Sequence, residues 1–395
     1  MPTKELRPGI YAVGSLDRDR KLFDELIPLP DGTTYNAYLI KGSEKTALID
    51  TVDPAKAEEL FSNLKKAGIT QLDYVISNHA EQDHSGSIPH VLKAFPEAMV
   101  VTNLKCKDFL KSLLMIPEEK FITRGDHEIL SLGDRTLEFL IAPWVHWPET
   151  MLTYLKEDGI LFSCDLFGAH LATSDLFADD DARVYESAKR YYAEIMMPFR
   201  SNIVSHLRKL QSYDIKMIAP SHGPVHAKSP FIVDAYADWV SDNVKNEVVL
   251  PFVSMHGSTR AMVDHFIDAL MKRSITVKPF NMPRTDIGEL AIALVDAATI
   301  ILAAPTVLVG PHPTVAYAAF LANALRPKTR FASVIGSFGW GTQVIERLGG
   351  LMTNLKVEMI EPVVIKGYPT VDDLKKLDLL ADAVLAKHKA AGIGI

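Results

Sequence analysis

The sequence predicts two α/β domains, a layered sandwich of sheets and helices followed by a doubly wound parallel sheet. The 395 residues exceed what one hydrophobic core usually organises, and 48% of them are hydrophobic and 23% charged, as in ordinary globular proteins. Short strand-like runs separated by turns fill the first half of the chain. A regular alternation of strands and helices begins near Glu247 and continues to the last residues.

The first domain is predicted from strands that alternate with amphipathic helices. The apolar spacing indicates helices at 54–67 and 87–95 and a mostly helical stretch at 181–210. Six strands are expected, at residues 35–40, 46–50, 74–77, 99–102, 136–142 and 159–163. These elements together favour sheets flanked by helices.

The second domain is predicted from five strand–helix units that end in a helix at 371–389. Its strands are expected at residues 248–254, 276–280, 298–304, 331–336 and 356–360. Units of this length fit a parallel sheet with helices on both faces. Polar residues 241–246 follow a helix-like run, so we divide the chain into 1–245 and 246–395. Pro251 lies inside the first expected strand. Because proline cannot donate a ladder hydrogen bond, it argues mildly against the boundaries of that strand.

Composition excludes several classes of protein. The net charge of -7 and the pI near 6.0 leave no basic stripe for nucleic acid. Residues 1–14 contain no apolar run typical of a secretory signal, and the apolar stretch 290–302 is too short for a bilayer, which needs roughly 20 residues. We therefore expect a cytoplasmic protein with no membrane contact. The two cysteines, Cys106 and Cys164, are too few for a disulfide framework or an iron–sulfur centre.

Potential metal ligands gather where apolar strands are expected to end. The run Ser-Asn-His-Ala-Glu-Gln-Asp-His-Ser-Gly at 77–86 directly follows such a strand, and further candidates follow later runs. A strand that leads into a loop can project alternate side chains to one side. Three carboxylates and four imidazoles make a ligand set for two metal ions. The candidate ligands are His79, Glu81, Asp83, His84, His146, Asp165 and His222.

Two further histidines lie close to these motifs in the sequence. His170 follows the segment of Asp165, and His226 follows that of His222. Each could orient a ligand or supply protons, and a purely structural role is an equal alternative.

Three loops of the second domain predict a flavin site. Small hydroxyl residues and a glycine before the helical stretch 260–273 leave backbone N–H groups free to hold a phosphate. The other two loops follow strands, where doubly wound sheets bind ligands, and one carries two aromatic residues among glycines. The absence of a Gly-x-Gly-x-x-Gly fingerprint favours a mononucleotide flavin over bound NAD or FAD. The candidate residues are Ser254, Met255, His256, Gly257, Ser258, Thr259, Pro305, Thr306, Val307, Leu308, Gly310, Ser337, Phe338, Gly339 and Trp340.

The pattern His-x-Glu-x-Asp-His, followed by the later histidines and aspartate, resembles the metallo-β-lactamase-like domain of flavodiiron proteins, and the three loops resemble their flavin mononucleotide (FMN) loops. The resemblance implies an N-terminal αββα sandwich, a C-terminal flavodoxin-like sheet, FMN and two iron ions. It assigns one iron to His79, Glu81 and His146, the other to Asp83, His84 and His222, and a bridge to Asp165. Hydrolases of this fold usually have histidine where Glu81 stands, and an added carboxylate favours iron.

The resemblance further implies an oxidoreductase that reduces dioxygen to water, nitric oxide to nitrous oxide, or both. Water formation takes four electrons, which a diferrous pair and a reduced flavin supply only together. The chain ends soon after its flavodoxin-like part and lacks cysteine pairs, so we expect an external donor, either rubredoxin or a reduced deazaflavin coenzyme. A homodimer or homotetramer is implied as well. Relatives often have asparagines where Val307, Leu308 and Val309 stand, which affects flavin potential and donor choice.

Two alternatives remain at this point. One is a zinc hydrolase with a flavodoxin-like appendage, against which Glu81 argues. The other is a flavodoxin-type electron carrier with an inert metal domain, against which the complete ligand set argues.

Overall fold

The computed structural model describes residues 3–178 and 182–394, and the chain divides into two compact units. The first unit runs to residue 192 and resumes at 199–240, and the second comprises 193–198 and the residues from 241 onward. The boundary predicted from the sequence, between 245 and 246, lies a few residues after this division.

Among the described residues, the first unit contains 18 strands and seven α-helices. Its strands are β1 Lys4–Arg7, β2 Ile10–Ala12, β3 Ser15–Asp17, β4 Leu22–Phe23, β5 Ile27–Pro28, β6 Thr33–Tyr35, β7 Tyr38–Lys41, β8 Thr46–Ile49, β9 Tyr74–Ile76, β10 Met99–Thr102, β11 Phe121–Thr123, β12 Ile129–Ser131, β13 Thr136–Ile141, β14 Met151–Leu155, β15 Ile160–Cys164, β16 Phe177–Ala178, β17 Met217–Pro220 and β18 Val225–His226. Its helices are α1 Ala57–Lys66, α2 Gln82–Ser85, α3 Ile88–Ala94, α4 Leu104–Leu114, α5 Ala182–Tyr191, α6 Arg200–Leu210 and α7 Ser229–Val240.

Two seven-stranded sheets form the body of this unit. Their strand orders are β1-β2-β7-β8-β9-β10-β11 and β12-β13-β14-β15-β17-β18-β16. Tyr38 and Phe139, from different sheets, belong to one buried apolar cluster. Leu39, the next residue after Tyr38, belongs to another, which it shares with Leu60 and Leu110 of α1 and α4. Side chains of a strand alternate between faces, so one face of the first sheet packs on the second sheet and the other on helices, as the sequence predicts.

The sequence-based boundaries need two corrections in the first unit. The strand expected at 35–40 is two strands, because the backbone N–H of Asn36 donates to Ser221 O (2.8 Å) and leaves the ladder. The helical stretch expected at 181–210 begins outside the described residues and then changes form. After α5 come a π-helical turn at Tyr192–Met196 and a 3₁₀ turn at Met197–Phe199, and α6 follows.

The second unit is a doubly wound parallel sheet. Its elements are β19 Lys245–Phe252, α8 Ser258–Met271, β20 Thr276–Asn281, α9 Ile287–Leu294, β21 Ala297–Val307, β22 Gly310–Pro311, α10 Pro313–Leu325, β23 Phe331–Phe338, α11 Val344–Leu351, β24 Glu358–Met359, β25 Val363–Lys366 and α12 Val371–Ala390. The main strands are parallel in the order β20-β19-β21-β23, and β25 pairs with β23 at the far edge. This is the flavodoxin-like order expected from the sequence.

Two details of the second unit differ from expectation. The strand expected at 356–360 is only the two-residue β24, and the longer partner of β23 is β25, which the sequence analysis missed. The first strand, expected at 248–254, is β19 at Lys245–Phe252, so its boundaries differ from expectation and Pro251 lies inside it. Pro251 pairs with Phe280 one residue before β19 ends, where a single missing donor costs little of the ladder.

Within the described ranges, no helix combines the length and the apolar character that crossing a bilayer requires.

Candidate metal centre and cofactor pocket

The first four candidate ligands come from one short segment after β9. His79 lies in the loop and Glu81 is the residue before α2. Asp83 and His84 lie within α2, so a helical turn brings them in, where an extended loop was expected. Because α2 is a single turn, its side chains reach the same space as His79 does from the strand end.

The other three candidates come from the second sheet. His146 lies in the loop between β13 and β14, Asp165 directly follows β15, and His222 follows β17. β15 and β17 are parallel neighbours, so their carboxyl ends meet at one edge of the sheet. The structure thus brings together all seven residues that the sequence marks as ligands.

These residues form two groups of converging side chains. In the first, His79, Glu81, His146 and Asp165 offer ligand atoms within 4.8 Å of one another, and in the second Asp83, His84 and His222 do the same. In the first group, the Nε2 atoms of both histidines lie 3.1 Å from Glu81 Oε2. In the second, His84 Nε2 lies 3.3 Å from Asp83 Oδ1, and His222 Nε2 lies 3.3 Å from Asp83 Oδ2.

Asp165 connects the two groups, with one carboxylate oxygen facing each. Its Oδ2 lies 3.6 Å from His79 Nε2 and 3.5 Å from His146 Nε2. Its Oδ1 lies 3.1 Å from His84 Nε2 and 3.4 Å from His222 Nε2. The side chain is fully buried. This is the arrangement of a carboxylate between two cations.

The donor set fits metal ions better than hydrogen bonds. Both carboxylate oxygens of Asp83 and of Asp165, and both ring nitrogens of His84, are buried without a hydrogen-bond partner among the described residues. Buried polar atoms are seldom left unpaired. Ligand atoms bound at about 2.1 Å to a common cation lie roughly 3.0–3.4 Å apart, close to the 3.1–3.6 Å separations within the two groups.

The electrostatics of the cluster also call for positive charge. Burial lowers the pKa of His79, His84 and His146, but the neighbouring carboxylates outweigh it and raise each pKa to about 10. Burial raises the pKa of Asp165, but the surrounding histidines hold it well below its usual range. The three carboxylates of Glu81, Asp83 and Asp165 are buried together, and such a cluster of negative charge favours the binding of divalent cations.

Sequence reasoning missed a fourth buried carboxylate, Glu149. Its Oε1 accepts hydrogen bonds from His79 Nδ1 (2.7 Å) and from the backbone N–H of Ala80 (3.0 Å). Burial raises its pKa, but these hydrogen bonds prevail and hold the pKa below its usual value. The only signal in the sequence is a glutamate three residues after His146, and that spacing does not by itself indicate a contact with His79.

His170 and His226 lie outside both groups. His170 is buried, with Nδ1 2.9 Å from the Thr33 hydroxyl and its ring centroid 4.9 Å from that of His222. Burial, followed by repulsion from His222, lowers its pKa well below the usual value. His226 donates from Nε2 to Phe167 O (3.3 Å), and burial lowers its pKa to about 4. Both histidines are thus buried outside the two groups, His170 against the ring of His222 and His226 against Phe167 O.

The second unit contains a pocket at the carboxyl ends of its strands. It lies beside the N-terminus of α8, whose first turn carries no acidic residue. The hydroxyl of Ser254 accepts from the N–H groups of Gly257 (3.2 Å) and Arg260 (3.1 Å), which folds the loop under the helix. The chain shapes this pocket with Ser254, Met255, His256, Ser258, Thr259, Pro305, Thr306, Ser337, Phe338, Gly339 and Gly367.

Most predicted flavin residues line this pocket, and some do not. Gly257, Val307, Leu308, Gly310 and Trp340 belong to the same loops but lie outside the lining, whereas Gly367, which was not predicted, is part of it. Gly367 directly follows β25 and has a φ of +78°, a conformation that favours glycine. A glycine at the end of the last strand is the signal in the sequence that could have identified it. Trp340 and Leu308 are 75% and 83% exposed next to the pocket.

Known proteins resemble this chain over both of its units. Residues 33–223 match the family described as ODP family beta lactamase. The chain is 34% identical over 388 residues to a nitric oxide reductase from Moorella thermoacetica, covering 96% of this chain and 97% of that protein. It is 33% identical over 386 residues to a coenzyme F420H(2) oxidase from Methanothermobacter marburgensis, with 94% and 95% coverage.

Solved structures are similar over the full chain. A rubredoxin oxygen:oxidoreductase from Desulfovibrio gigas has a TM-score of 0.94 at 28% identity, covering 98% of this chain and 99% of that one. The flavodiiron protein from Giardia intestinalis has a TM-score of 0.88 at 28% identity, with 98% coverage of both chains. The relatives with an activity in their names are oxidoreductases, which favours a redox enzyme over the zinc-hydrolase alternative. The chain therefore belongs to the flavodiiron proteins, a family of oxidoreductases.

Proposed function

We propose that this protein reduces dioxygen to water, nitric oxide to nitrous oxide, or both, with electrons that pass from an external donor through FMN to two iron ions. The observation that carries the proposal is Asp165, whose two carboxylate oxygens face two separate ligand groups. When bound, the iron pair and the flavin would supply sites for the gas and for four electrons. We assign the metal chemistry to residues 1–245 and the flavin to 246–395.

The proposed iron ligands divide as the two groups do. His79, Glu81 and His146 would hold one iron, Asp83, His84 and His222 would hold the other, and Asp165 would bridge them. The geometry supports this division, because each set shares contacts of 3.1–3.6 Å. Glu81 is the most exposed carboxylate of the set, with 11% of its side chain accessible, so we expect a small molecule to reach the site from its side.

The proposed flavin site uses the loops around the α8 pocket. Ser254, Ser258 and Thr259 would hold the phosphate at the helix N-terminus, where free N–H groups and the helix dipole favour an anion. Met255 and Trp340, both exposed, supply apolar surface for the ring system. Val307 and Leu308 would lie along the ring edge without side-chain hydrogen bonds. The remaining contacts are assigned to His256, Gly257, Pro305, Thr306, Gly310, Ser337, Phe338 and Gly339.

The supporting side chains and the partners complete the proposal. We assign His170 and His226 to positioning, since both are buried and His170 packs against the ring of His222. The donor is a rubredoxin or a reduced deazaflavin coenzyme, and similarity to proteins named for either donor supports this choice. We further propose a cytoplasmic homodimer or homotetramer, which sedimentation of the purified protein tests.

The experiment that tests the function measures consumption of each gas separately by protein of known iron and FMN content. The donor is reduced first under anaerobic conditions. We expect consumption of at least one gas in proportion to iron content, and a loss of at least about 100-fold in Asp165→Ala. Consumption of neither gas contradicts the proposal. Transfer of electrons from donor to an artificial acceptor that survives in Asp165→Ala, without gas reduction in the unmutated protein, would identify an electron carrier instead.

A further inference from the structure

Glu149 is bound to the cluster through a ligand residue. It lies in the loop before β14 and is 1% exposed. A single oxygen, Oε1, accepts from His79 Nδ1 at 2.7 Å and from Ala80 N–H at 3.0 Å. Two donors of adjacent residues therefore converge on one carboxylate oxygen.

The main chain holds Glu149 in this place. The N–H of Met151 donates to Asn78 O (2.9 Å), which ties the start of β14 to the residue before His79. Asn103 Nδ2 donates to Glu149 O (2.6 Å) from the other side. These two bonds thus hold the main chain of Glu149 beside His79.

The contacts of Glu149 fix the role of Nδ1 of His79. A backbone N–H can only donate, so Oε1 of Glu149 is an acceptor. Nδ1 of His79 is then the donor in the 2.7 Å contact, which leaves Nε2 as the ring nitrogen that would bind a metal. Nε2 is the nitrogen that faces Glu81 and Asp165.

The other imidazoles are held differently. Nδ1 of His222 donates to the neutral carbonyl of Thr34 (2.6 Å). Nδ1 of His84 is buried without a hydrogen-bond partner among the described residues. A carboxylate partner makes an imidazole a stronger donor to a metal than a carbonyl does.

We infer that Glu149 is a positioning residue that holds His79 with Nε2 free toward the metal and makes it the most strongly donating imidazole of the three compared. The inference rests on the proposed function only in taking His79 as a ligand. Its consequence is asymmetric: Glu149 supports the metal of the His79, Glu81 and His146 group and leaves the other metal unaffected.

The test is metal affinity in the full chain, measured without any gas. Metal is removed with a chelator, and Fe²⁺ and, in a parallel series, Co²⁺ are titrated anaerobically against a competing chelator. Glu149→Gln keeps the shape and one acceptor oxygen but removes the charge. We expect one of the two sites to bind about 10–100-fold more weakly and the other to keep its affinity. The visible spectrum of Co²⁺ and the Mössbauer spectrum of iron should change for one metal only.

Glu138 provides the matched control. It is also a buried glutamate of the same unit, on β13, and it binds Lys156 (2.8 Å) and Tyr213 (2.8 Å). Glu138→Gln should leave both metal affinities and both spectra unchanged. Glu149→Asp keeps the charge but draws the carboxylate back from His79 by one methylene. One site of this variant should therefore bind metal more weakly than in the wild type and more tightly than in Glu149→Gln, and the variant takes over the test if Glu149→Gln fails to fold.

Three results would overturn the inference: unchanged affinity and spectra in Glu149→Gln, equal weakening of both sites, or the same weakening in Glu138→Gln. If Glu149→Gln does not fold, wild-type affinity at both sites in Glu149→Asp with unchanged spectra also overturns it. Because the metal titration uses no gas, its result is independent of the gas-consumption test of the proposed function. A protein with the asymmetric effect that consumes neither gas would lose the proposed function and keep the role of Glu149.

Discussion

At the scale of single residues, Glu81 sets this metal centre apart from hydrolases of the same fold. It adds a hard, negatively charged oxygen donor to His79 and His146, at 3.1 Å from each ring nitrogen. A carboxylate at this position favours iron over zinc. The preference should therefore depend on this one side chain.

Glu81→His should shift metal preference from iron toward zinc. The change replaces an oxygen donor and a negative charge with a neutral nitrogen donor, which suits zinc. We expect the iron-to-zinc ratio to fall about tenfold or more when metal-free protein is loaded anaerobically with equal amounts of both ions. Elemental analysis measures the ratio, and Gln82→His, an exposed neighbour, is the control. An unchanged ratio in Glu81→His would refute this role.

His388 predicts a pH dependence of stability in the second unit. It is buried, donates from Nδ1 to Asn246 Oδ1 (2.7 Å) and accepts at Nε2 from the Thr299 hydroxyl (2.7 Å). Burial lowers its pKa to about 4, whereas an unfolded histidine titrates near 6.5. Between these values the unfolded chain takes up a proton that the folded chain does not. The contribution of His388 to the free energy of unfolding is thus complete above pH 6.5 and is lost as the pH falls toward 4.

The measurement for His388 is the free energy of unfolding from denaturant titrations at pH 7.5 and pH 4.5. His388→Gln should be less stable than the wild type at pH 7.5, and the difference should shrink at pH 4.5. A difference that stays constant or grows at pH 4.5 would contradict the assignment.

The seven proposed ligands could be picked out from the sequence because their residue types recur directly after apolar strands, and the structure brings them together in two groups. Glu149 could not, because its contact with His79 depends on the pairing of β14 with Asn78, which is a tertiary contact. Gly367 was missed because the strand before it, β25, was not predicted. β25 is only four residues long and follows Pro362.

At the scale of elements, long periodic segments were predictable and interruptions were not. β10 and α12 have nearly the predicted bounds, because their apolar patterns are uninterrupted. The strand expected at 35–40 is broken at Asn36, whose side-chain amide donates to the carbonyls of Pro220 and Gly223 next to His222. The site thus interrupts the sheet, and local propensity carries no record of that contact.

The turn between β21 and β22 is the most unusual element of the second unit. Leu308 and Val309 both have positive φ, +47° and +70°. This conformation suits the two central residues of a tight hairpin turn, where Asn-Gly is preferred, and it is costly for a branched side chain.

Replacing this turn by Leu308→Asn with Val309→Gly should stabilise the second unit by about 1–2 kcal/mol. The control is Leu308→Ala with Val309→Ala, which shortens both side chains but still places residues with a Cβ atom at positive φ. Chemical denaturation measures both variants. Equal stability of the Asn-Gly and Ala-Ala forms would show that the positive φ values carry no strain.

At the scale of the whole molecule, each compact unit has its own buried core. Leu250 and Val384 belong to the core of the second unit, and Ile10 and Phe162 to a core of the first. Units with separate cores unfold as separate cooperative transitions.

The two cofactors should therefore stabilise different transitions. Starting from protein stripped of both, FMN at about 100 times its Kd should stabilise one transition by about 2.7 kcal/mol, and Fe²⁺ should stabilise the other. Differential scanning calorimetry under anaerobic conditions resolves the two. A single transition that both ligands shift equally would contradict the assignment of one cofactor to each unit.

The most direct test of the central claim is the amount of gas that fully reduced protein consumes in a single turnover. Protein loaded with FMN and two iron ions is reduced anaerobically, freed of excess reductant, and titrated with each gas while the absorbance of the flavin is followed. Two electrons from the flavin and two from the iron pair predict reoxidation by about one dioxygen, without hydrogen peroxide, or by about four nitric oxide molecules, with nitrous oxide as product. Reoxidation by neither gas, or release of one hydrogen peroxide for each dioxygen consumed, would contradict the claim.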